Sequence, residues 1–237
     1  MEVLVETRNL TKQYGKHKVV SNVNLSVDKG EIYGLIGRNG AGKTTILRLL
    51  CGLAKPTEGE ISLFGQESHD MIHTRDRLGI LIESPGIYPG MSARDNVKLK
   101  CFAMGISSKN YMEELLDDVG LSFACKKKVK HFSVGMKQRL GIALALAGNP
   151  ELVLLDEPMN GLDPQGMAEI REMIIRLNKE KGITFIISSH ILGELSKIAT
   201  SYGIMEKGEL KKQMLKTELT EDLEEYFLNV TGGVSHD

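Results

Sequence analysis

The sequence predicts an α/β fold with a parallel-sheet core, an antiparallel β-subdomain and an inserted helical lobe. Three patterns carry this expectation. Residues 2–36 alternate apolar and polar with turn signals between, as in Val23-Asn24-Leu25-Ser26-Val27 before Asp28-Lys29-Gly30, the pattern of short antiparallel strands with one wet face. Residues 152–156 and 183–188 are continuous apolar runs, each preceded by a helical stretch, as strands covered on both faces require. Residues 84–130 switch to helical spacing, with Leu115, Leu116 and Val119 on one face of 110–119 and acids on the other.

In chain order, residues 31–36 read as a buried strand, followed by a glycine-rich turn and a helix from 44 to 51. Strands and turns return over 53–82, at 59–64 and 78–82. The helical stretch, taken as 84–135, is expected to be a lobe within one domain spanning 1–237. After the parallel-sheet segments come a hairpin at 202–213 and an acidic surface helix near 219–227.

The 30 basic and 31 acidic residues leave a net charge of −1, which argues against nucleic acid as a partner. The basic run Lys126, Lys127, Lys128 and Lys130 therefore reads as a solvated face. His69 and His73 have a helical metal-ligand spacing but no third ligand nearby. Cys51, Cys101 and Cys125 lie far apart and read as reduced thiols of a cytosolic protein. The start, Met-Glu-Val-Leu-Val-Glu, lacks a signal-peptide pattern, and the longest apolar run, 140–147, is far short of a span. A cytoplasmic protein is expected, with any membrane-spanning helices supplied by another chain.

Gly37-Arg38-Asn39-Gly40-Ala41-Gly42-Lys43-Thr44 matches G-x-x-x-x-G-K-[ST] between a predicted strand and a predicted helix. Glycines let the backbone curl so that successive N–H groups face a polyphosphate, and the helix start directs its positive end at the same oxygens. Lys43 addresses the β- and γ-phosphates of ATP and the Thr44 hydroxyl is a ligand for Mg²⁺. Thr45 closes the candidate nucleotide-binding stretch. Downstream, the apolar run 152–155 ends in Asp156 and Glu157. Asp156 suits a hard divalent ion, and Glu157 suits a general base for the attacking water.

Just upstream stands Phe132-Ser133-Val134-Gly135-Met136-Lys137-Gln138-Arg139. Here the chain resembles the ABC ATPase family, whose signature reads Leu-Ser-Gly-Gly-Gln followed by Gln-Arg. Ser133, Gly135, Gln138 and Arg139 match; Phe132, Val134 and Met136 depart. Ser133 caps the helix that begins here, and Gly135 allows close approach of an anion. The resemblance implies that this helix start meets the γ-phosphate of ATP held by a second copy. It also implies that Tyr14 stacks on adenine, that Asp163 in Asn160-Gly161-Leu162-Asp163-Pro164 lies in a dimer-contact loop, and that His190 is a γ-phosphate switch histidine. Where the family has glutamine before the helical lobe, this chain has Glu83, in Glu83-Ser84-Pro85. That departure, with Tyr88-Pro89, resembles the branch that exports or expels lantibiotics and bacitracin-type peptides, and it makes Glu83 both a candidate Mg²⁺ ligand and a catalytic candidate.

The resemblance implies an ATP-hydrolysing subunit of an ABC transporter, peripheral to the inner face of the membrane. Two copies would pair head to tail around ATP and drive separate integral permease subunits, with no direct contact to the substrate. The alternative is an ABC ATPase acting on nucleic acid or ribosomes; such chains carry two cassettes or a long coiled coil, and neither pattern is present here.

Overall fold

Strand β1 (Val3–Tyr14) is the longest of the molecule and organises the antiparallel part of the fold. The computed structural model describes residues 2–67, 74–84 and 86–232, so His69, His73 and Pro85 lie outside the described residues. Contacts divide the chain into two compact units, Met1–Arg75 with Thr184–Asp237, and Asp76–Ile183.

In the first unit, β1 pairs antiparallel with β2 (His17–Val23), β3 (Ser26–Asp28) and β5 (Glu58–Leu63), and β6 (Gln66–Glu67) pairs with β5. The expected short strands at the amino terminus are thus one long strand and two shorter ones. Register shifts around Lys12 bend β1, so its alternation breaks and mimics separate strands. The same unit holds β4 (Ile32–Ile36), β9 (Thr184–Ser189), β10 (Ser201–Glu206) and β11 (Glu209–Leu215). Here β4 is parallel to both β9 and β10, while β10 and β11 form the expected antiparallel hairpin. Every residue of β4 and β9 is buried, Thr184, Ser188 and Ser189 included, so neither strand shows the alternation of a half-wet one. Helix α1 (Lys43–Leu50) follows β4.

Tyr33 of β4 shows how tightly this sheet is fitted. Its ring is fully buried, and its hydroxyl donates to Gln213 Oε1 at 3.2 Å. Burial pushes the phenol pKa well above its ordinary value. Gln213 also bonds the backbone of Ser26, accepting from its N–H at 3.1 Å and donating to its carbonyl at 2.6 Å. A Cβ at Gly203 would overlap the Tyr33 hydroxyl, so β10 carries glycine where the phenol crosses it.

The second unit pairs β7 (Leu78–Leu81) with β8 (Leu152–Asp156) in parallel. Between them in sequence come α2 (Ala93–Ala103), α3 (Lys109–Asp118) and α4 (Val134–Leu146), and α5 (Pro164–Lys181) follows β8. Helix α4 rests directly on β7, because a Cβ at Gly79 would overlap the Ala145 carbonyl. Ser133 caps α4 as expected, and Ser92, Ser108 and Asp163 likewise each accept a first-turn amide of α2, α3 and α5. Among the described residues no helix is long and apolar enough to cross a membrane.

The carboxyl-terminal segment departs from the expected acidic surface helix at 219–227. A 3₁₀ turn (Lys216–Glu218) is followed by α7 (Leu223–Thr231), which packs on α6 (Leu192–Leu195), and Leu223 and Phe227 are buried. The acids that suggested a solvated helix occupy only its outer face, while two apolar residues four apart fasten the inner one.

Gly203→Ala is expected to lower unfolding stability by about 1–3 kcal/mol, the usual cost of overpacking. Adding Tyr33→Phe removes the overlapping hydroxyl and restores part of that loss. Urea titrations of the single and double variants check this; a Gly203→Ala midpoint equal to wild type contradicts the packing argument.

Candidate functional site

In the first unit, Ile36 of β4 stands opposite Ser189 of β9. Two parallel strands therefore end at one edge, and the next residues of each, Gly37 and His190, open neighbouring loops. Ligands of open α/β sheets bind at such carboxyl-terminal strand edges. A cleft there is lined by Gly37, Arg38, Asn39, His190, Leu192 and Phe227. His190 is exposed just past the strand, and the turn after it is set by Ile191 N–H donating to Ser189 Oγ at 2.9 Å.

The loop between β4 and α1 is shaped by its glycines. A Cβ at Gly37 would lie 2.6 Å from the Met205 carbonyl and 2.9 Å from Ala41 Cβ. Gly42 caps α1 at φ 106, in a region that favours glycine, and brings no side-chain acceptor to the first-turn amides. The loop rim is open, with nothing within 4 Å of a Cβ at Gly40. Lys43 is only 6% exposed, and its Nζ donates to Gly37 O at 2.6 Å and Arg38 O at 3.4 Å. A cation folded over a curl of backbone amides at a helix start suits the phosphates of a nucleotide. Thr44 and Thr45 follow on the first turn of α1, Thr44 half-buried and Thr45 buried. Tyr14 ends β1 at the β1–β2 turn with its ring 48% exposed and Lys12 Nζ 4.9 Å from its centroid. An exposed ring at a turn is available for stacking.

In the second unit the parallel register pairs Leu81 with Leu155. Glu83 stands two residues past the end of β7, and Glu157 one residue past the end of β8. Both have positive φ, 61° at Glu83 and 48° at Glu157. Non-glycine residues in this region are uncommon and collect at functional sites. Asp156 and Glu157 are half-buried and Glu83 is exposed. In the sequence Glu157 stands out by its place after an apolar run and Glu83 only through the family resemblance; their shared backbone conformation has no signal there.

The same unit gathers the signature segment and the Asp163 loop around one cleft, lined by Ser133, Gly135, Arg139, Gly161, Asp163 and Glu169 among others. Ser133 Oγ accepts the Met136 N–H at 3.2 Å. A Cβ at Gly135 would meet only Leu162, at 3.7 Å, so the chain's own packing does not demand glycine there; an unobstructed approach to the helix start is what glycine leaves. Asp163 accepts the Gly166 N–H at 3.0 Å and is the cap of α5, with Pro164 at the first helical position. Arg139 pairs with Glu169 and donates to Val119 O at 3.2 Å. Its signature match thus coincides with a fastening of α4 to its neighbours.

A family model described as ABC transporter matches residues 20–160. The chain belongs to the ABC transporter ATP-binding family. A second model, described as an AAA domain, putative AbiEii toxin, matches residues 128–196. This ABC ATPase is 47% identical over 220 residues to the bacitracin transport ATP-binding protein BcrA of Enterococcus faecalis, covering 92% of this chain and 71% of that protein. It is 44% identical over 230 residues to the lantibiotic transport ATP-binding protein SrtF of Streptococcus pyogenes, covering 95% and 96%. Among solved structures, the dimeric ATP-binding cassette MJ0796 in a post-hydrolysis state with ADP and Pi superposes with a TM-score of 0.81 at 27% identity, covering 90% of this chain and 99% of that one. The protein is therefore an ATP-binding, ATP-hydrolysing subunit of the transporter class, and ATP is its nucleotide.

Lys43→Ala is expected to weaken MgATP binding by about 10- to 100-fold, the range for losing a charged hydrogen-bonding partner. Titration with a fluorescent ATP analogue measures it; unchanged affinity would exclude the 37–44 loop as the phosphate site.

Proposed function

We propose that this ABC ATPase powers the export or expulsion of a peptide antibiotic, of the bacitracin or lantibiotic kind, through separate permease subunits at the inner face of the membrane. The observation that carries the substrate class is Glu83, with the 44–47% identity to proteins named for bacitracin and lantibiotic transport in support. Two copies pair head to tail around ATP, as the cassette MJ0796 is dimeric in its ADP- and Pi-bound state. The partner copy approaches the phosphates with its Ser133–Gly135 helix start.

The chemistry follows from individual residues. The amides of 37–44 and the Lys43 ammonium neutralise the β- and γ-phosphates, where charge builds as the γ-phosphoryl group leaves. Arg38 and Asn39, exposed at the loop rim, belong to the same cradle. Thr44 and Asp156 supply a hydroxyl and a carboxylate to Mg²⁺, a ligand set that suits an ion also held by phosphate. Glu157 takes the proton of the attacking water, and His190 holds the γ-phosphate against recoil. Glu83 would offer Mg²⁺ a further carboxylate oxygen. Residues 84–135 form the lobe that answers to the permease; ATP-driven closure of the dimer moves it, and hydrolysis releases it. The transported peptide meets the permease alone.

Glu157→Gln is expected to keep MgATP binding and lower turnover by roughly 10²–10⁴-fold, as for loss of a general base. Phosphate release assays decide the matter, and turnover within about threefold of wild type would remove Glu157 from that role.

For Glu83 two readouts are needed: ATPase rate, and protection of cells against bacitracin and a lantibiotic when the permease is co-expressed. Glu83→Ala is expected to impair protection, with Glu83→Gln milder because it keeps an oxygen ligand. Wild-type behaviour of Glu83→Ala in both assays would withdraw the residue, and with it the main support for the peptide-antibiotic class.

A further inference from the structure

The tip of the β10–β11 hairpin, Lys207-Gly208, is an odd place for a buried residue. Lys207 and Glu209 are exposed, yet Gly208 between them is buried. Its N–H donates to the Ala41 carbonyl in the phosphate loop at 3.0 Å, and its own carbonyl accepts from Ser21 N–H of β2 at 2.8 Å. A Cβ on Gly208 would stand 2.6 Å from the Val19 carbonyl. Across the same gap, a Cβ on Gly42 would stand 2.9 Å from that carbonyl and 3.6 Å from Gly208 Cα. Three stretches of backbone, from β2, the hairpin tip and the phosphate loop, thus meet closely, and the Met205 methyl lies beside them, 3.5 Å from a Cβ built on Gly42.

We propose that Gly208 is a positioning residue for ATP hydrolysis: the hairpin tip fixes the direction of the Ala41–Gly42 peptide and so aims the Gly42 amide at phosphate. A trans peptide is planar, and its C=O and N–H point in opposite directions. Holding the Ala41 carbonyl toward Gly208 therefore turns the Gly42 N–H away from the hairpin. Without that bond the peptide is free to rotate, and a carbonyl turned toward an anion repels it where an amide attracts it. Gly208 also sits at φ +84, so any side chain costs conformational strain as well as space. The proposal rests on the reading of 37–44 as the phosphate site.

The first unit provides a matched control. Gly30 has φ +83, almost the same conformation, but nothing lies within 4 Å of a Cβ built there. Gly30→Ala therefore carries the conformational strain of Gly208→Ala without touching the phosphate loop.

The experiment measures ATP KM, kcat and analogue affinity for wild type, Gly208→Ala, Gly30→Ala and Lys43→Ala, with urea midpoints alongside. Expected are an ATP affinity lowered about tenfold or more in Gly208→Ala, the scale of one hydrogen bond to a charged group, and an affinity within about twofold of wild type in Gly30→Ala. Two stability losses with equal ATP affinities would reduce Gly208 to an ordinary turn residue and overturn the proposal. A Lys43→Ala affinity equal to wild type would instead overturn the phosphate-loop reading. If Gly208→Ala does not fold, amide exchange on the wild-type protein decides. MgATP should slow exchange of the Gly208 amide together with those of Gly42 to Thr44; a Gly208 amide indifferent to MgATP while the loop amides are protected rejects the coupling.

Discussion

Close packing of backbone against backbone around the 37–44 loop is the constraint on which this molecule's chemistry depends. The phosphate loop leaves β4 beneath the Met205 carbonyl, passes the Val19 carbonyl and the Gly208 amide, and enters α1 through a left-handed Gly42. Each contact closes one alternative conformation of the loop. An anion site made of amides binds strongly only if those amides are already aimed, because reorienting them on binding would cost the affinity they supply. Lys43, buried against the carbonyls of Gly37 and Arg38, adds charge and ties the start of the loop to α1.

The two units treat their strand ends differently. Strands β4 and β9 end in a glycine-rich curl and an exposed histidine, where nothing opposes close approach of a ligand. Strands β7 and β8 end in glutamates held at positive φ, a conformation that costs of order 1–3 kcal/mol for such a residue. That cost persists only where the surroundings enforce it, and here the enforced geometry belongs to two carboxylates with proposed roles in hydrolysis. At position 83 the chain thus places a carboxylate on a backbone held at positive φ.

Much of the fold was legible because its signals lie in side chains. The run Leu152–Asp156 is apolar because both faces of β8 are covered, and it stops at the first acid. Ser133 announces a helix start, and the spacing of 37–44 announces a glycine-shaped loop between a strand and a helix. Other features escaped. The bends in β1 disguised one strand as several, and the acids of the last segment concealed the buried Leu223 and Phe227. Asp163 and Arg139 were matched to family motifs, whereas their contacts here are a helix cap and an ion pair with Glu169. Gly208 left no trace because its partners are backbone groups, which every sequence contains.

The central proposal is that ATP is held between two copies of this chain, the 37–44 loop coming from one and the Ser133–Gly135 helix start from the other. The most direct measurement is the mass in solution, by light scattering, of Glu157→Gln with and without MgATP, and of the same variant carrying Ser133→Arg. The account predicts a dimer only with MgATP, and a monomer that still binds ATP once Ser133→Arg is added. A dimer that forms equally well without nucleotide, or that survives Ser133→Arg unchanged, would contradict it.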